Sequence, residues 1–438
     1  MESYSTNEKI YSLATPFSPA ALAIIRLSGD GTVEALSKLF SRPKSLLKAE
    51  TNTLMHGFIS DLDGEKIDEV VLAIYREGHG YTSEEAVEIT LHGSLPAIKR
   101  MSRALESAGF RQALPGEFTF RAFMHGRMDL TEAEAVEEIV KAKSVSAQSS
   151  ALDRLTGSLS EVISGIKDKV LDVLASLEVQ LDYAEDEILE DWEYPFDEMA
   201  GILIKLRRIL GTYSSARLYA EGATVVLAGK TNAGKSSLFN ALLKENRAIV
   251  SSEEGTTRDF IEAMCDMDGL PIRLYDTAGL RETEGEIERE GIKRSRELMD
   301  RADLILYITD GTDPFLPEED ERTIIVRSKL DLYGNRDGGP AFSSKTGEGL
   351  GDVIALIRDR LIRKDTVSDV PQIESERQKE AIERVIEIIE ESMEHTDESV
   401  DIMAIYFQEA LRALSVLTGE VSTEDVLEKL FSQFCLGK

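Results

Sequence analysis

The chain has 438 residues and a formal net charge of −31, with 42% hydrophobic and 30% charged residues. That balance excludes a collagen-like or disordered chain and predicts a globular protein of about two to four domains; no apolar run approaches the ~20 residues of a membrane span. A long-range acidic field repels nucleic acid, so any RNA-handling role needs a local basic patch or a basic partner. The opening "MESYSTNEKI" lacks a basic start followed by an apolar run, so no signal peptide is expected. Two cysteines, Cys265 and Cys435, are too few and too far apart for a disulfide framework, which points to a reducing, cytoplasmic compartment.

Taken in chain order, residues 1–118 mix strand-like runs ("ALAIIRLSG", "EVVLAIYR", "AVEITLHG") with the helix-like "LPAIKRMSRALESAGF", an α/β or α+β texture. From 119 to 219 apolar residues recur at three and four positions with few breakers, which predicts helices. "GATVVLAGK" then opens apolar strands alternating with helices, and after "KDTVSDVPQ" the helical pattern returns. The expected division is an N-terminal domain (1–118), a helical domain (119–219 plus 366–438) and an α/β domain inserted into it (220–365). Two separate helical appendages are the alternative, since periodicity does not show that the flanks pack together.

"GKTNAGKS", Gly229 to Ser236, fits G-x-x-x-x-G-K-[ST] and sits between a strand-like and a helix-like run. Such a loop wraps phosphates with backbone N–H groups at a helix N-terminus. Asn232, Ala233 and Gly234 shape it, Lys235 reaches the β/γ-phosphates, Ser236 reaches Mg²⁺, and Ser237 follows. "RLYDTAGL" supplies a D-x-x-G element: Asp276, Thr277, Ala278 and Gly279, with Asp276 near the magnesium shell and the Gly279 amide near the γ-phosphate. Between the two elements lie Ser251, Ser252, Glu253, Glu254, Gly255, Thr256 and Thr257, and Thr257 is placed to close on Mg²⁺ and γ-phosphate.

"RSKLD" and "SSKTG" read the base. Lys329 and Asp331 match N-K-x-D, with Asp331 accepting from the guanine N1 and N2 protons, and Ser328 stands where asparagine is usual. The exchange weakens or removes one bond to the base or to the loop, worth ~1 kcal/mol. Ser343, Ser344 and Lys345 fit the last guanine element. The expected ligand is GTP.

In Ras-like GTPases a glutamine after D-x-x-G orients the attacking water. Here Leu280 fills that position, and Glu282, Glu284, Glu286, Glu288 and Glu290 follow as candidate carboxylates among which spacing does not choose. Charge for the transition state is offered by Arg258, by Arg281, or by a cation caged by oxygens of Asn232 and of the 251–256 loop, an arrangement potassium favours.

"AIIRLSG", "PGEFTFRAF", "DLTEAEAV", "GKTNAGKSSLFNALL", "GTTRD", "DTAGLRETEGEIEREGI" and "FCLGK" span the chain, and together they resemble the MnmE (TrmE) family of tRNA-modification GTPases. The resemblance implies an N-terminal α/β folate-binding, dimerising domain, a helical bundle domain built from both flanks, and an inserted Ras-like α/β P-loop G domain. It implies potassium-stimulated GTP hydrolysis, with Asn232, Ser251, Glu253 and Thr256 around K⁺, Ser236 and Thr257 on Mg²⁺, and Glu288 as the water-orienting carboxylate. It also implies a homodimer that works with the flavoprotein MnmG (GidA), in a heterotetramer or larger complex, on the wobble uridine of tRNA. The chemistry expected is carboxymethylaminomethyl- or aminomethyl-type modification drawing on 5-formyl- or methylene-tetrahydrofolate. Folate contacts would fall on Arg26, Glu88, Arg127 and Lys438; an arginine suits a glutamate tail and a carboxylate suits pterin N–H groups. This sequence departs from the family at "ATPFSPAA", where a glycine-rich turn with an arginine is usual, and at Ser328.

Two other functions fit parts of the pattern: a GTP-switched ribosome-assembly or RNA-binding scaffold, and a folate-dependent one-carbon transferase with a regulatory G domain. The tail "STEDVLEKLFSQFCLGK" reads as a helix with a Ser422–Asp425 capping box, a stripe of Val426, Leu427, Leu430, Phe431 and Phe434, and a Gly437 C-cap. By periodicity Cys435 borders that stripe as a core residue; by the resemblance it is a catalytic thiol on a tail that reaches the folate site.

Overall fold

A computed structural model describes residue 4 and residues 6–182, 192–245, 261–267, 269–277, 296–313, 316–334, 338–362 and 370–437. The chain forms two compact units. One comprises 1–137, 155–164 and 411–438, the other 138–154 and 165–410.

The first unit is built on a six-stranded sheet. In chain order its strands are β1 (Ile10–Leu13), β2 (Leu22–Ser28), β3 (Thr53–Ser60), β4 (Lys66–Tyr75), β5 (Ala86–His92) and β6 (Arg111–Gln112), arranged β3-β4-β5-β2-β1-β6. All neighbours are antiparallel except β1 and β6. Side chains alternate between faces with period two. Ala23, Ile25 and Leu27 of β2, and Val87, Ile89 and Leu91 of β5, therefore enter the core under helices α1 (Thr32–Ser37) and α3 (Leu95–Ser107), α2 (Pro43–Leu47) lying between these in sequence. Arg26 and Glu88, one residue out of phase with that core, stand on the opposite face directly across the β2–β5 ladder.

Helix α4 (Glu117–Met124) carries Arg121, which is fully buried. Its guanidinium donates to Glu84 at 3.0 Å and to Glu117 at 3.0 Å, while Ser28 donates to the same Glu84 carboxylate at 2.7 Å. After α5 (Leu130–Lys141), the final helix of the chain returns to this unit, where Phe431 meets Phe120 edge-on at 5.5 Å.

The second unit contains α6 (Val145–Leu155), most of α7 (Ser158–Asp182) and α8 (Phe196–Glu221), which leads directly into a second sheet. That sheet has β7 (Ala223–Ala228), β8 (Ile261–Met267), β9 (Leu270–Asp276), β10 (Leu304–Thr309) and β11 (Thr323–Arg327) in the order β11-β10-β7-β9-β8. It is parallel except for the β8 edge. Parallel strands covered on both faces read as continuous apolar runs; "ATVVLA" of β7 does, packing under α9 (Lys235–Glu245) and, beyond the short α10 (Leu330–Tyr333), α11 (Leu350–Leu361). Beyond β11, Arg327 meets Ala341 in a single parallel bridge.

The chain leaves the sheet and re-enters helix at α12 (Glu376–Glu394), whose Ser375 N-cap accepts from the Gln378 amide, followed by α13 (Val400–Thr418). Flanks before and after the sheet pack on each other: Tyr194 and Ser392 share a 2.6 Å hydroxyl contact, and Arg207 pairs with Glu390. Buried Arg154 of α6 clamps the returning segment through the Gln372 carbonyl at 3.0 Å and the Glu374 carboxylate at 2.9 Å.

The helical pattern from 130 to 155 divides between Lys141 and Val145, where the Ser144 hydroxyl caps the Ala147 amide at 3.1 Å. Expectations about the tail are corrected. The terminal helix α14 (Glu424–Phe431) starts from Thr423 rather than a Ser422 box, because the Ser422 hydroxyl turns to the Gly419 carbonyl at 3.3 Å. It ends at Phe431 with Ser432 as its cap, so Gly437 does not cap it; Cys435 is exposed rather than in the core, and Val426 faces out.

Candidate functional site

Strand β7 delivers the chain into the Gly229–Gly234 loop, and α9 begins at Lys235. Glycine is needed at both ends of that loop. Gly229 has φ +129 and a Cβ there would meet the Ile308 carbonyl oxygen at 2.2 Å; Gly234 has φ +106 and packs against Ser328. The Lys235 ammonium donates to the Gly229 and Lys230 carbonyls, both at 2.7 Å, so it is held over the loop. Burial lowers its pKa, against the pull of Asp276 and Asp313.

The Ser236 hydroxyl donates to the buried Asp276 carboxylate at 2.6 Å, and the Thr277 hydroxyl ties to the Leu227 carbonyl at 2.8 Å. Two hard oxygens thus meet at the head of α9, a donor set suited to Mg²⁺. Asn232, at φ +64, and Ser237 are exposed beside them, and Ala233 is buried beneath.

The "RSKLD" segment crosses the same end of the sheet. The Ser328 hydroxyl donates to the Ala233 carbonyl at 2.5 Å, and the Ser328 amide donates to the Thr309 carbonyl at 2.8 Å. The serine therefore keeps the tether to the phosphate loop. A hydroxyl has one proton to donate, and that proton is used. Lys329, at φ +59, caps α10 and its ammonium donates to Asp310 at 2.6 Å. That bond, with help from Thr312, holds the Asp310 carboxyl down to about 2. Asp331, in the first turn of α10, accepts the Ser343 hydroxyl at 2.7 Å. Ser343 is fully buried and its side chain also takes the Thr346 amide at 3.2 Å, while Ser344 and Lys345 are exposed on the same turn. The structure thus adds two residues that motif reading passed over as partners: Asp310, which sets Lys329, and Ser343, which sets Asp331 through its side chain.

A second polar cluster lies in the first unit. The Arg26 guanidinium donates to Glu88 at 2.8 Å and to the Gly437 carbonyl at 3.0 Å. The tail is drawn in at Gly437, which has φ +90 and lies so close to β1 that a Cβ would meet the Leu13 carbonyl oxygen at 3.0 Å. Tyr81 shares a 2.8 Å contact with the Thr119 hydroxyl; burial raises its pKa, against the Thr119 bond and the charges of Arg26 and Arg127. Exposed Arg127 acts with Arg26 on Tyr81, a residue that no motif in "HGYTSEEA" marks, and exposed Cys435 stands two residues before Gly437 in the chain.

Ser251, Ser252, Glu253, Glu254, Gly255, Thr256, Thr257, Ala278, Gly279, Glu288 and Lys438 lie outside the described residues, as do Arg258, Arg281 and the other carboxylates of the 282–290 stretch.

The MnmE helical domain family matches residues 130–435, and the family described as GTP-binding protein TrmE N-terminus matches residues 9–127. The tRNA modification GTPase MnmE of Treponema denticola is 38% identical over 99% of both chains, and that of Borrelia recurrentis 39% identical over 99% of both. The Carboxydothermus hydrogenoformans protein of the same name is 36% identical, covering 98% of this chain and 99% of its own. Among solved structures, the G domain of the T. maritima FeoB iron transporter matches 32% of this chain and 99% of its own at 27% identity, with a TM-score of 0.24. With the motifs in place along the whole length and end-to-end identity of this size, the chain belongs to the MnmE family of tRNA modification GTPases.

Proposed function

We propose that the protein is a potassium-stimulated GTPase that acts with a flavoprotein partner on the wobble uridine of tRNA, using a tetrahydrofolate one-carbon unit. The observation that carries the GTPase reading is the meeting of Lys235, Ser236–Asp276, Ser328–Ala233 and Asp331–Ser343 at one end of a single parallel sheet. Phosphate, metal and base contacts are thereby set side by side without long reach. Ser236 and Thr257 hold Mg²⁺; Asn232, Ser251, Glu253 and Thr256 hold K⁺; Glu288 orients the water. Held there, the two cations would supply positive charge to the phosphates in the place of an arginine.

The folate half rests on Arg26, Glu88 and the tail, with Arg127 and Lys438 completing the contacts. A bidentate arginine suits the glutamate of folate and a carboxylate suits its pterin. The product class is a carboxymethylaminomethyl- or aminomethyl-uridine. The working assembly is a homodimer with the flavoprotein MnmG in a heterotetramer or larger complex, in the cytoplasm; among the described residues no helix is long and apolar enough to cross a membrane. The domain division 1–118, 119–219 plus 366–438, and 220–365 follows the same reading.

GTP turnover measured in potassium and in sodium at equal ionic strength tests the cation site. Potassium should accelerate turnover by at least tenfold, a loss of ~1.4 kcal/mol in the barrier; equal rates would remove the potassium reading. Cys435→Ser should abolish uridine modification while GTP turnover is unchanged, and full modification by that variant would leave Cys435 an exposed thiol with no part in the chemistry. Ser328→Asn should tighten GDP binding about fivefold, ~1 kcal/mol, because an amide has a second N–H to offer the base after tethering the loop. Calorimetric titration reads this directly. Weaker binding would mean that the short serine tether matters more than the added bond.

A further inference from the structure

The opposite end of the second sheet holds a concavity of about 470 Å³ where α8 passes into β7. Five cationic side chains line it, Lys141, Lys143, Arg217, Arg273 and Arg301, against two carboxylates, Glu221 and Asp303. In a chain of formal charge −31 this is a reversal of sign. The two carboxylates offset only part of it, leaving the lining with an excess of cations. Asp303 is taken by the Arg217 guanidinium at 3.2 Å and the Thr224 amide at 2.8 Å. Lys143 reaches the main-chain carbonyl of Glu221 at 3.1 Å. Arg273 has the half-exposed Glu262 at 3.6 Å, outside the lining, a long surface pair of small worth. Burial, and after it the nearby Arg273 charge, lower the Lys143 pKa against the pull of Glu221 and Glu262.

The site is separate from the nucleotide loop. Thr224 pairs with Arg273 at the start of β7, and the phosphate loop follows its end, so the two lie roughly 17 Å apart along the strand. The cations come from the α5–α6 connection, from α8, from β9 and from the segment ahead of β10.

We propose that this concavity binds phosphates of the tRNA backbone. The inference rests on the tRNA reading above and adds a place for it. Arginines grip phosphate oxygens in pairs, lysines act as point charges, and both outweigh distant like-signed charge within a Debye length of ~8 Å at physiological salt. The concavity is the local basic patch that an acidic RNA-handling chain requires. Free inorganic phosphate offers the same chemistry and is separated by experiment.

The test uses the full chain. Lys143→Glu and Arg301→Glu both change exposed residues, and their double variant is compared with Lys44→Glu, an exposed reversal in the first unit. Transfer RNA binding is titrated across a salt series, with GDP affinity as the control for folding. The double variant should lose at least tenfold in tRNA affinity, and its salt dependence should be shallower by about one to two units, each phosphate contact contributing ~0.9. GDP affinity should be unchanged, and Lys44→Glu should stay within twofold of the parent. An unchanged affinity and slope overturns the proposal, as does an equal loss in Lys44→Glu, which would be a net-charge effect. Failure of the parent chain to bind tRNA at low salt overturns it too, while GTP turnover would still stand. Calorimetric binding of inorganic phosphate, lost in the double variant while tRNA affinity is kept, would assign the site to a free anion and overturn the RNA reading; tRNA affinity kept alongside loss of an acidic protein partner would do the same.

Discussion

Replacing Arg121 by alanine should destabilise the first unit by about 3–5 kcal/mol, the cost of stranding buried carboxylates whose partner is removed. Glu84 and Glu117 both depend on that guanidinium, and both are buried with it. Glu117 has a second cation, Arg111, at 2.7 Å. Burial pushes the Glu117 pKa up, but the Arg111 bond, the Leu114 amide and Arg121 outweigh it, and the carboxyl sits below its ordinary value. A depressed folded pKa gives stability that is present above the unfolded carboxylate value and lost as pH falls through the folded one. The unit should therefore weaken on acidification below the ordinary carboxylate range, and Arg121→Ala should flatten that dependence.

A chain of two units has no single melting free energy. Hydrogen exchange at residues 22–28 and 86–92 is the appropriate readout, and protection there should fall about a hundredfold or more at 1.4 kcal/mol per tenfold. Arg121→Met combined with Glu84→Gln should recover part of the loss, since no buried charge is then left alone at Glu84. Unchanged protection in Arg121→Ala would show that apolar packing alone holds α4 to the sheet.

That network was invisible in sequence for a physical reason. Arg121 and Glu84 are brought together only by the packing of α4 on the sheet, and a lone Arg or Glu in a helix-like run reads as solvated surface. Arg154 is the same case at greater sequence distance, clamping Gln372 and Glu374 from a helix that precedes the whole second sheet in the chain. The phosphate loop was legible because its chemistry is local: glycines, lysine and serine act within eight residues, and the flanking strand and helix declare themselves by period. The guanine elements were legible as residues but not as partners. Ser343 reads as part of the last guanine element, and the structure adds that its hydroxyl donates to Asp331.

The tail shows where periodicity misleads. Leu427, Leu430, Phe431 and Phe434 do pack, among Phe120, Phe123 and Leu130. The helix nevertheless stops at Phe431, whose carbonyl lies against Gly116 so closely that a Cβ there would stand 2.4 Å away. The chain then runs out past Cys435 and turns in again at Gly437 to reach Arg26. A glycine three residues after the last apolar contact looks like a helix cap; here its positive φ serves a close approach to β1.

Asp331→Asn should lower GTP affinity by about 100- to 1,000-fold, roughly 3–4 kcal/mol. As the guanine acceptor, the carboxylate takes two N–H groups at once, and bonds to a charged group are worth about 1.5–3 kcal/mol each. An asparagine keeps one oxygen and turns an N–H toward a base that presents N–H. Its remaining oxygen can still accept the Ser343 hydroxyl, now at 2.7 Å from Asp331, so the α10 turn should survive the change. The loss should then be specific to the base. A purine with a carbonyl where guanine carries its amino group, as in xanthine, accepts from the asparagine N–H and should bind the variant better than GTP does. Paired titrations with GDP and XDP separate the outcomes. A reversal of preference assigns base recognition to Asp331. An equal loss for both nucleotides would mean that Asp331 only supports the turn through Ser343, and that the specificity for guanine resides in other groups.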